Sequence, residues 1–403
     1  MDNQIKTNNR FEFIGNLYPM KDTDKFKAFE NKEYSSGWVN RTLSFAVKCG
    51  DSRHIVRVKG GCWKDGGGKI YTLKATEKRG DKPEKIEVPW NQRLNKDIVD
   101  SVAIFKCWIA DMGGSAIRHD MNTIIKNQAV QEADTEKYGI HTVEEAQKLY
   151  DANMAKYQKF ITAYDYAEYL NRLIHTESCS KFVFKVSGDI EFYVKNDGSV
   201  GNAFNVTRIE RMANNTPAKS EGELFLYFNK DAIVDDTQRS KKYFVNAKCF
   251  YYDGGVKDNQ AYDVNVVIPD DGDKKNINFK NVFTYKSIDR NQWKEIGMKV
   301  NMIDGAQKEQ ITEDMLSDNE KEMIELGLAT MEEIQADHGA VYGDKIVEWR
   351  VCGYARGYMS GAYGTDLTDD DFMRKVKTED QPVSNAKTTT DEIDIFADDL
   401  DEI

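Results

Sequence analysis

Trp38, Trp63 and Tyr71 stand among Arg41, Arg53, Arg57, Lys59, Lys64, Lys69 and Lys74. The chemistry open to such a set is binding rather than bond making. Planar rings take up bases by stacking, worth roughly 1–3 kcal/mol per base, while cations neutralise phosphates. A thinner version follows downstream. Tyr193 and Lys195 share one face of an alternating segment, and Arg208 and Arg211 follow on the next.

Catalysis has less to draw on. The chain contains neither a G-x-S-x-G nor an H-E-x-x-H pattern, so no catalytic residue is assigned. Asp369-Asp370-Asp371 has the charge for a cation, but its surroundings read as linker, and a metal site needs fixed ligands. Six cysteines without a C-x-x-C pair and five histidines without ligand spacing argue against zinc and against a disulfide framework. We therefore expect no metal, no cofactor and a reduced, cytoplasmic setting. The glycines before Lys69 invite a phosphate-loop reading. That loop needs a glycine five residues before its Gly-Lys pair and a hydroxyl after it. Trp63 and Ile70 occupy those places, so the glycines are read as a turn.

Elements that would carry these residues follow from periodicity. His54, Val56 and Val58 alternate with Ile55, Arg57 and Lys59, and Ile70–Lys74 alternates after the glycines, which predicts a hairpin over 52–75. Further strands are expected at Phe11–Leu17, Trp38–Cys49, Ile86–Val88 and Val102–Trp108. Residues 141–175 lack proline and glycine, and Thr142 with Glu145 forms a capping box, so a long helix or helical pair is expected there. Strands resume at Phe182–Val186, Ile190–Lys195, Phe204–Ile209, Leu224–Phe228, Tyr243–Tyr252 and Ala261–Ile268, with Asn281–Tyr285 and Met298–Met302 completing the set. A helix is expected across Glu313–Gln335 and a basic, aromatic strand at Lys345–Met359.

The fold class is mainly β with helical insertions (α+β), built from one or two OB-like small barrels with a disordered acidic tail. The expected divisions are a basic barrel at 1–110, a helical insert at 111–180, a second β-rich unit at 181–302, an acidic helix and strand at 303–360, and a flexible tail at 361–403. Phe13-Ile14-Gly15-Asn16-Leu17 echoes Val186-Ser187-Gly188-Asp189-Ile190, which suggests that the two strand regions are duplicates. No apolar run is long enough to span a membrane, and Met-Asp-Asn-Gln opens the chain without a signal-peptide core.

Charge is segregated. The net charge of −12 hides +7 over residues 1–110 (21 basic, 14 acidic) and −17 over 303–403 (9 basic, 26 acidic). The end, TTTDEIDIFADDLDEI, holds seven acids and no base, with Phe396, Leu400 and Ile403 spaced among Asp398, Asp399 and their neighbours. Apolar anchors in an acidic context suit docking to a basic-rimmed pocket on a protein partner.

These parts together resemble the single-stranded DNA-binding proteins of bacteria and their phages, the phage type above all. The resemblance rests on the glycine-bearing strand Phe13–Leu17, the alternating strand Trp38–Cys49, the basic segment Arg53–Lys74 and the tip Asp391–Ile403. It implies a non-enzymatic protein of DNA replication, recombination and repair. An OB body would coat exposed strands, and the tip would recruit replication or recombination partners. The chain is longer than the usual bacterial form, and its tip ends Asp-Glu-Ile instead of Pro-Phe. Nothing in the sequence separates DNA from RNA. The alternative reading is a phage structural or assembly protein built of β-rich domains.

Overall fold

The computed structural model describes residues 5–64, 68–76, 78, 81–284, 292–309, 316–326, 330, 341–359 and 361–375. The chain opens with strands β1 (Arg10–Pro19), β2 (Phe29–Glu33), β3 (Trp38–Cys49) and β4 (Ser52–Trp63). An excursion follows: β5 (Lys69–Leu73), β6 (Lys85–Pro89), α1 (Lys96–Ser101), β7 (Trp108–Asp111), α2 (Ser115–Asn127), α3 (Glu132–Tyr138), α4 (Val143–Met154) and β8 (Tyr157–Phe160). Helix α5 (Ala163–Ile174) then leads into β9 (Phe184–Val194) and β10 (Val200–Arg211). The remaining elements are β11 (Lys219–Phe228), β12 (Ile233–Asp235), α6 (Thr237–Ser240), β13 (Lys242–Asp253), β14 (Asp258–Pro269), α7 (Lys274–Phe283), β15 (Lys294–Glu309), α8 (Asp318–Glu325), β16 (Val341–Tyr354) and β17 (Tyr363–Gly364).

Strand pairing closes two rings. In the first, β1 pairs β3, β3 pairs β4, β4 runs parallel to β10, β10 pairs β9, and β9 returns to β1. In the second, β11 pairs β13, β13 pairs β14, β14 runs parallel to β16, β16 pairs β15, and β15 returns to β11. Each is an OB-like five-stranded barrel with a helix between its third and fourth strands, α5 in one and α7 in the other.

Alternation explains which residues fill the barrels. Leu43, Phe45 and Val47 on β3 and Val56 and Val58 on β4 are fully or almost fully buried. Gly15 marks the point where β1 changes partner, from β9 up to Gly15 to β3 from Asn16 onward. A Cβ there would collide with the Lys48 carbonyl, so only glycine lets the strand coil this tightly.

The first strands of the two barrels also pair with each other. Arg10 opposes Glu223, Glu12 opposes Glu221, and Ile14 opposes Lys219. The first residue of each strand thus faces the fifth of the other, which gives the junction a local two-fold symmetry. Lys219 bridges the two facing glutamates, at 2.9 Å from Glu12 and 2.8 Å from Glu221. One apolar cluster runs continuously through both barrels.

Several expectations are corrected by these pairings. The first barrel ends at Arg211, and residues 111–180 lie inside its third-to-fourth connection, so a barrel confined to 1–110 does not form. The second barrel runs from Lys219 to Tyr354 and takes in the acidic quarter's strand β16. The glycine echo is no duplication: Phe13 and Val186 are paired neighbours in one barrel. Their glycines share a packing need, because a Cβ at Gly188 would strike the Asn205 carbonyl. Residues 52–75 are no hairpin either. The edges of β4 are taken by β3 and β10, so β5 turns away and pairs with β6. Of the strand expected at Asn281–Tyr285, residues 281–283 are helical, since Asp273 caps helix α7, which runs through Phe283; Tyr285 lies outside the described residues. The capping box at Thr142 and Glu145 is present and starts α4. Of the helix expected over 313–335, Asp318–Glu325 is helical, and most of the rest lies outside the described residues.

Candidate nucleic-acid interface

Strands β3 and β4 pair along their whole length, which sets their outward side chains in rows. Trp38 faces Trp63, Thr42 faces Lys59, Ser44 faces Arg57, and Lys48 faces Arg53. The two indoles meet edge to face with centroids 5.4 Å apart. Trp63 is 45% exposed and Lys59 is exposed. Glycines leave room for both rings. A Cβ at Gly61 would collide with the Trp38 ring, and one at Gly68 would sit 2.8 Å from the Trp63 ring. The aromatic edges with Lys59 at one end and Lys48 at the other are open, with buried Ser44 and Ala46 between them, and the open ends can stack bases and neutralise phosphates.

The cations are not equally available. Arg57 lies 3.0 Å from Glu191 and donates to Asn205 at 3.0 Å. Lys64 pairs with Glu33 at 2.6 Å beyond the strand end. Lys59 and Lys48 make no ion pair among the described residues. Burial pushes the Asp304 pKa above its ordinary value, opposed mainly by Lys345 at 3.3 Å and less by Arg53.

Arg41 does not join this face. It shares the inward parity of Leu43 and Phe45, and at the barrel's end that direction leads to α5. Its guanidinium stacks 3.7 Å from the Tyr164 ring centroid, donates to Tyr164 Oη at 2.8 Å and meets Glu168 at 3.1 Å. Arg41 therefore pins the helix to the barrel.

Arg208 is likewise structural. It lies 3.6 Å from Glu210 and 3.8 Å from Asp111, two carboxylates that are almost wholly buried. Arg118 of α2 binds Asp111 as well and donates to Asn153 at 2.9 Å, so the cluster mounts the helical insert on the barrel. Burial opposes the Glu210 charge, yet donation from Ser115 and Lys185 outweighs it and holds the pKa below the usual range. Arg211 covers Phe182, with 3.8 Å from guanidinium to ring centroid. Tyr193 is half-buried on β9, where a Cβ at the facing Gly201 would sit 2.7 Å from its ring. Lys195 opens the turn that joins β9 to β10 and accepts at its carbonyl from Gly198. These residues are spread over strands β9 and β10, away from the Trp38–Trp63 row.

Lys69, Tyr71 and Lys74 belong to the excursion after β4. Lys69 pairs with Glu87 at 2.5 Å, Tyr71 is 75% exposed, and Lys74 is exposed. Sequence reasoning missed Trp90, Arg93 and Tyr164. Arg93 stacks over Trp90 at 4.2 Å, Trp90 meets Tyr164 at 5.9 Å, and Arg93 bonds Asp165 with two nitrogens. The spacing of Trp90 and Arg93, three apart in a single turn, was the available signal. Tyr164 has none, since its position depends on how α5 docks.

The tail residues Phe396, Asp398, Asp399, Leu400 and Ile403 lie outside the described residues. The stretch just before them corrects one expectation. Residues 363–375 are packed, not linker. Phe372 stacks on Trp293 with centroids 3.8 Å apart, and Asp369 accepts from Trp293 Nε1 at 2.7 Å. Asp371 caps its own turn by accepting from the Thr368 N–H at 2.7 Å, so two members of the acidic triplet have structural tasks. No group of metal-ligating side chains is found among the described residues, and no helix among them is long and apolar enough to cross a membrane.

No family model matches the chain, and no curated protein matches it. Among solved structures it is similar to the wild-type single-stranded DNA binding protein from Thermus aquaticus. The identity is 7% and the TM-score 0.30, over 74% of this chain and 86% of that one. A deletion mutant of the same Thermus aquaticus protein matches at 8% identity and a TM-score of 0.29, over 73% of this chain and 86% of that one.

Proposed function

We propose that this chain is a non-enzymatic single-stranded DNA-binding protein whose binding face is the outer surface of β3 and β4. The observation that carries this reading is the paired row on that surface: Trp38 beside Trp63, then Lys59, Arg57, and Arg53 with Lys48. Bases stack on the indole edges and phosphates follow the cations, so affinity has little sequence preference and falls with salt. The acidic end of the chain docks replication or recombination proteins of a phage-type system. Support for that part is compositional: seven acids, no base and five large apolar side chains over the last sixteen residues.

Titration of the full chain with poly-dT at low and moderate salt tests the reading, with tryptophan fluorescence as the signal. Quenching on binding, weakened by added salt, is the expected result. Equal affinity for poly-dT and for a polyanion without bases would remove stacking from the account. No binding at either salt would overturn the function. Poly-U as a second titrant separates DNA from RNA preference, and a chain ending at Lys387 tests whether the acidic end competes with DNA for the cations.

A further inference from the structure

The excursion after β4 carries a surface that the barrel does not need. Strands β5 and β6 form a two-stranded sheet of their own, with Ile70 opposite Val88 and Tyr71 opposite Glu87. One side is apolar and anchored. Ile70, Ile86 and Val88 pack on Val99, Val102, Cys107 and Ile109. Backbone bonds fix both ends: Trp90 N–H donates to the Gly68 carbonyl at 3.2 Å, and Ala103 N–H donates to the Leu73 carbonyl at 2.8 Å. The other side holds Lys69, Tyr71 and Lys85 and faces solvent. A two-stranded ribbon standing alone is marginal in water, so this one is held in place by its underside. Its outer side is exposed apart from half-buried Leu73. Tyr71 is left 75% exposed on a rigid support, and Lys85 makes no ion pair among the described residues.

The ribbon is continuous with the barrel face. Gly68, the residue before β5, is the glycine whose missing side chain makes room for the Trp63 ring. Tyr71 follows three residues later, about 10 Å along an extended strand. Trp63, which meets Trp38, thus touches the base of the ribbon whose outer side carries Tyr71, Lys69 and Lys85.

From this geometry we infer that the β5–β6 ribbon is a second segment of the nucleic-acid path. Tyr71 stacks a base beyond those on the Trp38–Trp63 row, and Lys85 meets a phosphate of the same strand. The inference rests on the binding reading above, and it adds length to the site without changing its chemistry. Lys69 is already neutralised by Glu87 at 2.5 Å and contributes less than Lys85.

The test compares two lengths of DNA on the full chain. An oligo-dT of about 8 nucleotides lies within the roughly 4–16 that one barrel covers, and poly-dT extends past it. Tyr71→Ala should lower affinity for poly-dT about 5- to 150-fold, the fold-change equivalent of one lost stack, and leave the short oligomer within about twofold. Lys85→Ala should lower the poly-dT salt slope by about 0.7. Both residues are exposed, and an unchanged thermal midpoint checks that the variants fold. Crosslinking of iodouracil-substituted DNA, mapped by mass spectrometry, should mark Tyr71 as well as Trp63. Wild-type binding with no effect of either variant, or crosslinks at Trp63 without Tyr71, would overturn the ribbon site. Absence of binding by the wild-type chain would instead overturn the function on which it rests.

Discussion

In the first barrel the outer side of the second and third strands meets solvent at its two ends, with the indole pair and Lys59 at one and Lys48 at the other, while Ser44 and Ala46 between them are buried. The corresponding side of the second barrel, built from β13 and β14, is covered at its Phe250–Ala261 end, while Asn246, Asn265 and Asp263 remain exposed. Phe244 faces Val267, Asn246 faces Asn265, Lys248 faces Asp263, and Phe250 faces Ala261. Lys248 is paired with Asp263 at 2.6 Å. Over Phe250 lies Phe372 from the chain's own end, with centroids 5.2 Å apart, and Arg374 and Lys375 reach Asp263 and Asp258. Two barrels of one strand order therefore present different surfaces, an indole pair with lysines unpaired among the described residues on one and amides with a paired lysine on the other. Topology supplies a place for a ligand, and the side chains on the outward rows decide whether that place is open. On this reading binding belongs to the first barrel, and the second serves as its structural partner.

The comparison breaks most visibly if the strap over the second barrel is cut. Phe372→Ala should cost about 3–5 kcal/mol of stability, as for other buried phenylalanines, measured by denaturant unfolding. Its affinity for poly-dT should stay at the wild-type value. A gain in affinity would mean that the second barrel carries a masked site.

His54 couples the two barrels and gives the next effect. It stacks on Phe13 at 4.2 Å, and its Nε2 is 2.6 Å from Ser220 Oγ, which donates to the Met302 carbonyl at 2.6 Å. Since the hydroxyl proton is spent on Met302, Nε2 carries the imidazole hydrogen. Burial holds the imidazole neutral, with its pKa lowered to about 4. The unfolded chain takes up a proton near pH 6.5, where the folded one does not. Stability is therefore full above about pH 6.5 and declines toward pH 4, by roughly 3 kcal/mol in all. A urea midpoint for His54→Gln that falls as steeply as the wild type over this range would assign the loss to other groups.

Smaller effects sharpen the contrast at the surface. Trp63→Ala should weaken poly-dT binding by roughly 1–3 kcal/mol without lowering the thermal midpoint. Tyr252→Ala removes an aromatic of similar exposure, 53%, from the second barrel and should leave affinity unchanged. Smallest of all, Lys59→Ala should reduce the salt slope by about 0.7, whereas Lys248→Ala should not alter it. Equal responses from the two barrels would refute the division of labour.

Much of the fold was legible because alternation and caps are local signals. The buried row of Leu43, Phe45 and Val47, the outward row of Lys59 and Trp63, and the Thr142 cap could all be read from neighbours in sequence. What stayed hidden depends on distant strands. That β4 lies between β3 and β10, and so cannot pair with β5, is decided by residues near 205. Arg41 belongs to an inward parity that was readable, but its partner Tyr164 arrives on a helix far along the chain. Arg208 looked like a phosphate contact because the buried Asp111 and Glu210 leave no mark in sequence. One or two barrels were expected, but their bounds were misplaced for a similar reason, since the excursion between β4 and α5 stretches one copy and not the other.

The first strand also sets a timetable. Phe13 cannot find its partner Val186 until roughly 170 more residues have been made, which at about 5–20 residues per second is on the order of ten seconds or more. Throughout that interval Phe11, Phe13 and Leu17, all destined for burial, lie on a strand whose β9 edge is open. Its early neighbour β3 covers only the Asn16–Pro19 half. The second barrel waits less, because Leu224 of β11 meets its partner Met298 of β15 about 75 residues later. During synthesis the N-terminal half is thus the slower and more aggregation-exposed of the two, although it is made first.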